Sequence, residues 1–406
     1  MSFALRDPIH DYIRVDDLEA AVLQSRALQR LRSVRQLGLA NLVFPGAEHS
    51  RFGHVLGAMQ LAGRVYDSLA EKTPTLLEND ARSPQRRNLR LAALLHDIGH
   101  APFSHSSEEL FEGGIEHEQM TARILELPDL ADLFDGATGL SGEGVGLDPV
   151  RRILAGNGDP TERLLSQIVS GELDVDKMDY LLRDSHYCGV RYGNYDLGRL
   201  LETIVALRDP DSGNWALGIE EDGVHAFEAL VLARYYMFTQ VYFNLTGKVL
   251  ELHLNEWLKE NGVLWPRDAE RFLTHDDLSV WSAMRDSTSE HARAILDRDH
   301  FVLAFETKEH LTKAERGRFT SILETVGQQL EPGEILVSNS AKDPHRLGES
   351  GVPVRDADGG IRQMQEVSHF IRYLTRIDRF RVYSRSRRRK DIRALFRDLW
   401  PTHPSP

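Results

Sequence analysis

The sequence predicts a mainly α protein, with a helical body over residues 1–300 and a smaller α+β segment over 301–406. Three observations predict it. After Arg51, the apolar residues Val55, Met59, Ala62, Tyr66 and Leu69 recur at alternating four- and three-residue spacing, the period of a helix with one buried face. Helix start and stop signals punctuate the first 260 residues. Short apolar runs with turn residues between them appear only after residue 330, at Glu334–Val337, Val352–Val354 and Phe380–Tyr383.

Taken in order, the first helix is expected over about 51–70, because Thr73-Pro74-Thr75 breaks the pattern. Leu89–His100 carries the next apolar segment, with Gly99 as its expected stop and Ala101-Pro102-Phe103 turning the chain. Asp159-Pro160-Thr161-Glu162 supplies a cap, a proline at the first helical position and the glutamate of a capping box, for a helix to about Val169. A further helix begins near Asp174. A long helical pattern fills 223–260, with a bend expected near Gly247. Asp358-Gly359 suits a hairpin turn.

The chain has 406 residues, 41% hydrophobic and 27% charged, an ordinary globular balance. No apolar run approaches the roughly 20 residues needed to cross a bilayer, and the N-terminus lacks the layout of a signal peptide. A cytoplasmic protein is expected, without membrane partners. One cysteine, Cys188, excludes an intrachain disulfide. The net charge of −13 disfavours generic nucleic-acid binding. The exception is a run of ten basic residues between Arg376 and Arg397. It reads as a solvated or subunit-contacting face, or as a phosphate-binding one.

The residues that carry chemistry lie far apart. His96-Asp97 ends an apolar helix, and imidazole plus carboxylate is a good set of donors for Mn, Fe, Mg or Zn. Arg51 and His54 share one face of the upstream helix. Asp176, Tyr180 and Asp184 fall four apart and line one stripe, with Lys177 beside them, opposite Met178, Leu181 and Leu182. Two carboxylates and a phenol on one face are poor core material and suit a pocket wall. A histidine cluster follows in His100, His105 and His117, the last next to Glu118.

The ordered set His54, His96-Asp97 and Asp176 resembles the H…HD…D signature of the HD superfamily of metal-dependent phosphohydrolases. The surrounding text, QRLRSVRQLGLANLVFPGAEHSRFGHVLG, LLHDIGHAPFSHSSEELF, HEQM and ELDVDKMDYLLRDSHYCGV, is similar to the dNTP triphosphohydrolase branch over residues 1–260 and more loosely beyond. The resemblance implies an HD-domain helical core in which His54, His96, Asp97 and Asp176 hold a divalent ion (Mn, Mg or Fe). That ion would activate water against the α-phosphate of a dNTP, releasing triphosphate and a deoxynucleoside. It implies that Arg51 and Lys177 contact phosphates, that His117 is the general acid with Glu118 to orient it, and that His100 and His105 touch phosphates or water. The sequence does not separate His117 from His105 as the acid. Gln36 and Leu37 match residues that bind the 3′ hydroxyl and crowd out a 2′ hydroxyl. Tyr180, Asp184 and Tyr242 match further sugar contacts, although Leu37 and Tyr242 serve equally well as core residues. Gln29 and Arg32 match a nucleotide-activator site, but Gln24 stands where a guanine-reading Asp is found in the activated vertebrate relative. A homo-oligomer, dimer or tetramer, is expected. The competing readings are an HD-type phosphodiesterase or nuclease and a nucleotide sensor with little turnover.

Overall fold

The structure is a computed structural model and describes residues 3–135, 139–140, 142–209, 213–343 and 351–400. The chain divides into two compact units. One is Met1–Met237, Leu264–Val280 and His345–Tyr373; the other is Phe238–Val263, Trp281–Pro344 and Leu374–Pro406.

The first unit is built around the helix Arg51–Lys72, which packs on the helices Pro84–Leu95 and Val175–Cys188. Its expected apolar stripe is the face that is buried: Val55, Met59, Ala62, Tyr66 and Leu69 have no exposed surface. Each large apolar side chain so buried contributes about 1.5–3 kcal/mol. The helix Pro160–Val169 has the expected capping box, with Asp159 accepting from Thr161 N and Glu162 N. Asp174 caps the helix Val175–Cys188 through Lys177 N.

Two expected boundaries differ. The segment leading to His96-Asp97 is helical only to Leu95, and residues 96–99 form turns. Gly99 does not have the positive φ of a helix stop. Its lack of a side chain matters for another reason: a Cβ there would run into the His117 carbonyl and Thr121 N. In the 223–260 pattern, Val224–Met237 runs into a π-helical turn, Phe238–Tyr242, and a new helix starts at Leu245. Asn244 makes that break, its side chain accepting from Thr246 N and Gly247 N.

The first unit also contains strands, of which the sequence predicts only the one at Val352–Val354, observed as Pro353–Arg355. Phe3–Asp7 and Asp11–Val15 form a hairpin. Ile204–Arg208, Trp215–Glu220, Pro353–Arg355 and Ile361–Gln363 form a four-stranded sheet in that order, with the middle pair parallel. The expected Asp358-Gly359 turn is present, Gly359 at φ +86, and joins the last two of these strands. Among the described residues no helix is long and apolar enough to cross a membrane.

In the second unit, Ile377–Ser384 lies between Val302–Glu306 and Ile335–Lys342 in an antiparallel sheet. Phe305, Phe319, Phe380, Val382, Ile392 and Phe396 form its core with the helices Lys313–Gly327 and Arg389–Leu399. Much of the basic run is neutralised within this unit. Arg376 pairs with Asp343, Arg379 and Arg381 with Glu306, Arg385 with Glu290, and Arg388 with Glu334.

His253 of the helix Leu245–Glu260 ties this unit to a protonation state. Its Nε2 accepts from Phe301 N at 3.1 Å, so the neutral ring carries its proton on Nδ1, which faces His291 Nδ1 at 2.8 Å. Burial, and then His291 and His300, push its pKa down to about 3. The unfolded chain, with a histidine near 6.5, therefore binds the extra proton first. Stability is full above pH 6.5 and is lost as pH falls toward 3. Thermal melts should fall between pH 7 and 4.5. In His253→Gln, whose amide oxygen can accept from Phe301 N without titrating, that fall should be smaller.

Candidate metal centre and active site

Four of the residues singled out in the sequence converge in the first unit. His54 projects from the Arg51–Lys72 helix, His96 and Asp97 from the turn after Leu95, and Asp176 from the first turn of Val175–Cys188. His54 Nε2, His96 Nε2 and an Asp176 oxygen lie mutually within 4.8 Å. Asp176 Oδ1 is 3.0 Å from His54 Nε2 and 3.7 Å from His96 Nε2. Asp97 closes the ring, Oδ1 3.3 Å from His96 Nε2 and Oδ2 3.7 Å from His54 Nε2. Donors on adjacent corners of an octahedron around a small divalent ion, at 2.0–2.1 Å, are separated by about 3.0 Å. The spacing of the His54, His96 and Asp176 donors therefore fits one ion, and Asp97, held by Arg51, borders this group of three.

The hydrogen bonding on the far sides of the rings supports the same use. His54 Nδ1 donates to Asp179 Oδ2 at 2.8 Å and His96 Nδ1 to the Ala93 carbonyl at 2.8 Å. These bonds orient both Nε2 atoms inward, as in carboxylate–histidine–metal arrangements. Both Nε2 atoms are buried and without a hydrogen-bond partner among the described residues, which is costly unless something else satisfies them. The field also favours positive charge here. Burial opposes protonation of His54, but Asp176 and Asp179 outweigh it and bring its pKa up to about 10. Burial likewise opposes ionisation of Asp176, and His54 and His96 hold its pKa well down.

Asp179 is the main residue that sequence reasoning passed over. It lies one turn from Asp176 and is fully buried. Besides His54 it accepts from His10 Nε2 at 2.7 Å and from Arg183 Nε and Nη2 at 2.8 and 2.9 Å. Arg183 continues to Asp7 at 2.8 Å, and Asp7 caps Ile9 N and His10 N. Gly57 gives this carboxylate its room, since a Cβ there would overlap Asp179 Oδ1. The signal was present in the sequence: Asp179 and Arg183 are spaced i, i+4 on the helix that carries Asp176.

The candidate phosphate and acid residues surround the four donors. Arg51 is buried, pairs with Asp97 Oδ2 and donates from Nε to Ser104 Oγ at 2.8 Å. Lys177 does not stand free: its ammonium donates to Asp174 at 2.6 Å and to the Gly171 carbonyl at 2.5 Å. His100 Nε2 is 3.1 Å from Asp97 Oδ1, and its ring stacks on His117 with centroids 4.0 Å apart. The two imidazoles are driven in opposite directions. Burial and Arg51 hold the His100 pKa well below the usual range. His117 is also opposed by burial, but the Glu108 carboxylate raises it. Glu108 contacts His117 Nδ1 directly, whereas Glu118, the orienting residue expected from sequence, is 3.4 Å away and largely exposed. The side chain of His105 lies outside the described residues.

Gln36 and Leu37 are half-buried in the same unit, and Gln36 Oε1 is shielded with no hydrogen-bond partner among the described residues. Asp184 is buried against His49 Nε2 at 2.8 Å. Burial raises the Tyr180 phenol to about 12 despite the opposing charge of Arg234, a buried residue the sequence reading left unassigned. Tyr242 belongs to the second unit, where its ring meets Phe238. Of the residues matched to an activator site, Arg32 donates to Gln29 Oε1 at 2.9 Å and lies over the Phe52 ring, and Gln24 is exposed.

Three outcomes are expected for this centre. His96→Ala or Asp97→Ala should abolish bound divalent metal, measured by elemental analysis. Asp179→Asn should weaken metal affinity about 10–100-fold with the four donors intact, measured by calorimetric titration. In wild type, an ion must displace the proton that Asp176 and Asp179 favour on His54. Metal affinity should therefore rise with pH through the neutral range, with proton release visible in buffers of different ionisation enthalpy.

Comparison with known proteins agrees with this geometry. Residues 51–184 match the HD domain and residues 195–400 the HD associated region. The chain is 31% identical over 314 residues to the uncharacterized protein YwfO of Bacillus subtilis, covering 75% of this chain but 66% of that protein. It is 27% identical over 435 residues to the deoxynucleoside triphosphate triphosphohydrolase SAMHD1 homolog of Dictyostelium discoideum, covering 98% of this chain and 80% of that one. A crystal structure of a hypothetical protein from Aquifex aeolicus superposes with a TM-score of 0.81 at 29% identity, over 98% of this chain and 100% of that one. The convergence of the H, HD and D residues on one point and the match of both regions lead to one conclusion: the chain belongs to the HD-domain family, with its HD associated region.

Proposed function

We propose that the chain is a metal-dependent phosphohydrolase that cleaves deoxynucleoside triphosphates at the α-phosphate, releasing triphosphate and a deoxynucleoside. The observation that carries the reading is the set of donors from His54, His96, Asp97 and Asp176, with a buried guanidinium and two oppositely tuned histidines beside it. When bound, a divalent ion (Mn, Mg or Fe) supplies Lewis-acid polarisation of a phosphoryl oxygen and an activated water.

The remaining work falls to the chain's own side chains. Arg51 exchanges its Asp97 partner for phosphate oxygens, for which a planar fork of donors is suited. Lys177 and Arg234 add fixed positive charge, though Lys177 must share its ammonium with Asp174. The departing 5′ oxygen needs a proton. His117, raised by Glu108, holds one near neutral pH, whereas His100, kept neutral, does not. The partnerless Gln36 Oε1 suits a sugar hydroxyl, and Leu37 excludes a bulkier ribose. Asp184 and Tyr180 offer further sugar contacts. The Dictyostelium relative, described as a deoxynucleoside triphosphate triphosphohydrolase, supports the choice of substrate.

The test is purified chain with each dNTP and Mn, Mg or Fe, with and without added nucleotides, and product identification. Triphosphate is the expected product. Mononucleotides released from oligonucleotides, with dNTPs untouched, would replace this reading with the phosphodiesterase one. His117→Ala should keep its metal and lose turnover about 100-fold or more, within the range general acids contribute. Glu108→Gln should shift the basic limb of the rate profile to lower pH, because removing the carboxylate lowers the His117 pKa. An unshifted limb assigns the proton to another group.

A further inference from the structure

Asp277 lies outside the stretch that matches the HD domain, at the first turn of the short helix Asp277–Arg285. It is 1% exposed. Its two oxygens are spent on two backbone amides from different parts of the chain: Oδ2 accepts from Arg35 N at 2.9 Å and Oδ1 from Phe103 N at 2.8 Å. Arg35 immediately precedes Gln36 and Leu37. Phe103 lies in the turn closed by Ser104 N donating to the Ala101 carbonyl, three residues after His100.

The second segment needs such a hold. Phe103 and Ser104 are non-glycine residues in the left-handed region, at φ 58 and 56. A conformation of that kind persists only where its surroundings over-determine it. Three other contacts join the same pieces. Ser104 Oγ donates to the Arg35 carbonyl at 3.1 Å and accepts from Arg51 Nε. Arg30 donates to the His100 carbonyl at 3.0 Å and to the His275 carbonyl at 2.6 Å. Gly38, whose positive φ of +52 favours glycine, packs against the Phe103 backbone. Residues 275–277 thus close a clasp over both segments, and Asp277 is the carboxylate in it that bonds to each.

We infer that Asp277 is a positioning residue that fixes the spacing between the sugar-facing Gln36-Leu37 and the phosphate-facing segment His100–Ser104, and so sets discrimination between deoxyribose and ribose. The clasp follows from geometry alone; its effect on sugar choice rests on the function proposed above.

Two arms test it on the full chain. The first uses no substrate: in Asp277→Ala, amide exchange at Arg35 and Phe103 should speed up by at least a hundredfold, while the Val175–Cys188 amides and bound metal stay as in wild type. Unchanged exchange at those two amides, or acceleration spread evenly over the unit, overturns the clasp. Asp277→Asn covers the case in which the alanine variant does not fold. One carboxamide oxygen can hold only one of the two amides, so one should be released and the other retained. The second arm compares dGTP with GTP. The ratio of their kcat/KM values should fall at least fivefold in either variant, whereas general damage lowers both rates and leaves the ratio alone. An unchanged ratio overturns the selectivity claim. If wild type hydrolyses no nucleotide, the substrate reading and the selectivity claim fall together, and the exchange arm still decides the clasp.

Discussion

The Asp179 carboxylate, buried and shared by three donors, is the interaction on which the rest of the first unit depends. A lone carboxylate removed from water is costly, and only full pairing makes it tolerable. Here Arg183 and His10 satisfy it from one side and His54 from the other. The same pairing fixes the imidazole that faces the ion site and anchors the N-terminal hairpin through Asp7. Metal affinity, the tautomer of His54 and the seating of residues 3–15 are therefore one problem with one solution. The fit of Gly57 against this carboxylate shows how little slack there is.

The helical part of the fold was legible because its information is local. Val55 through Leu69 bury the stripe their spacing marks, and Asp159 with Glu162 closes the box its spelling announces. The N-terminal hairpin and the strands Ile204–Arg208 and Trp215–Glu220 were not legible, although the strand at Val352–Val354 and its Asp358-Gly359 turn were, because strand pairing joins residues far apart in sequence. Trp215–Glu220 acquires a parallel neighbour only at Pro353–Arg355, and nothing near either strand announces the other. Gly99 was read as a helix stop because glycine commonly serves as one. Its actual constraint is the proximity of His117, a tertiary contact invisible to periodicity.

The candidate site follows the same division. The four donors were legible as an ordered set because their residue types are unusual at those places. The residues behind them were not. Asp179, Glu108 and Asp277 are ordinary acidic residues on helices or turns until the fold sets each against a particular ring or amide. Glu108 illustrates the point: the sequence places Glu118 beside His117, yet the three-dimensional neighbour with the closer contact comes from the 3-10 helix Ser104–Leu110 upstream.

The first unit is assembled from three stretches of chain, with two of the second unit's three stretches between them and the last one after them. During synthesis, which proceeds from the N-terminus, the Trp215–Glu220 strand leaves the ribosome long before Pro353–Arg355 exists. One edge of that strand must wait unpaired, with exposed N–H and C=O groups of the kind that recruit foreign strands. Such long-separation pairings also slow folding. The nascent protein is thus most vulnerable to wrong pairing while its second unit is being made, and a chaperone that shields the Trp215–Glu220 edge in that interval would act where the architecture is weakest.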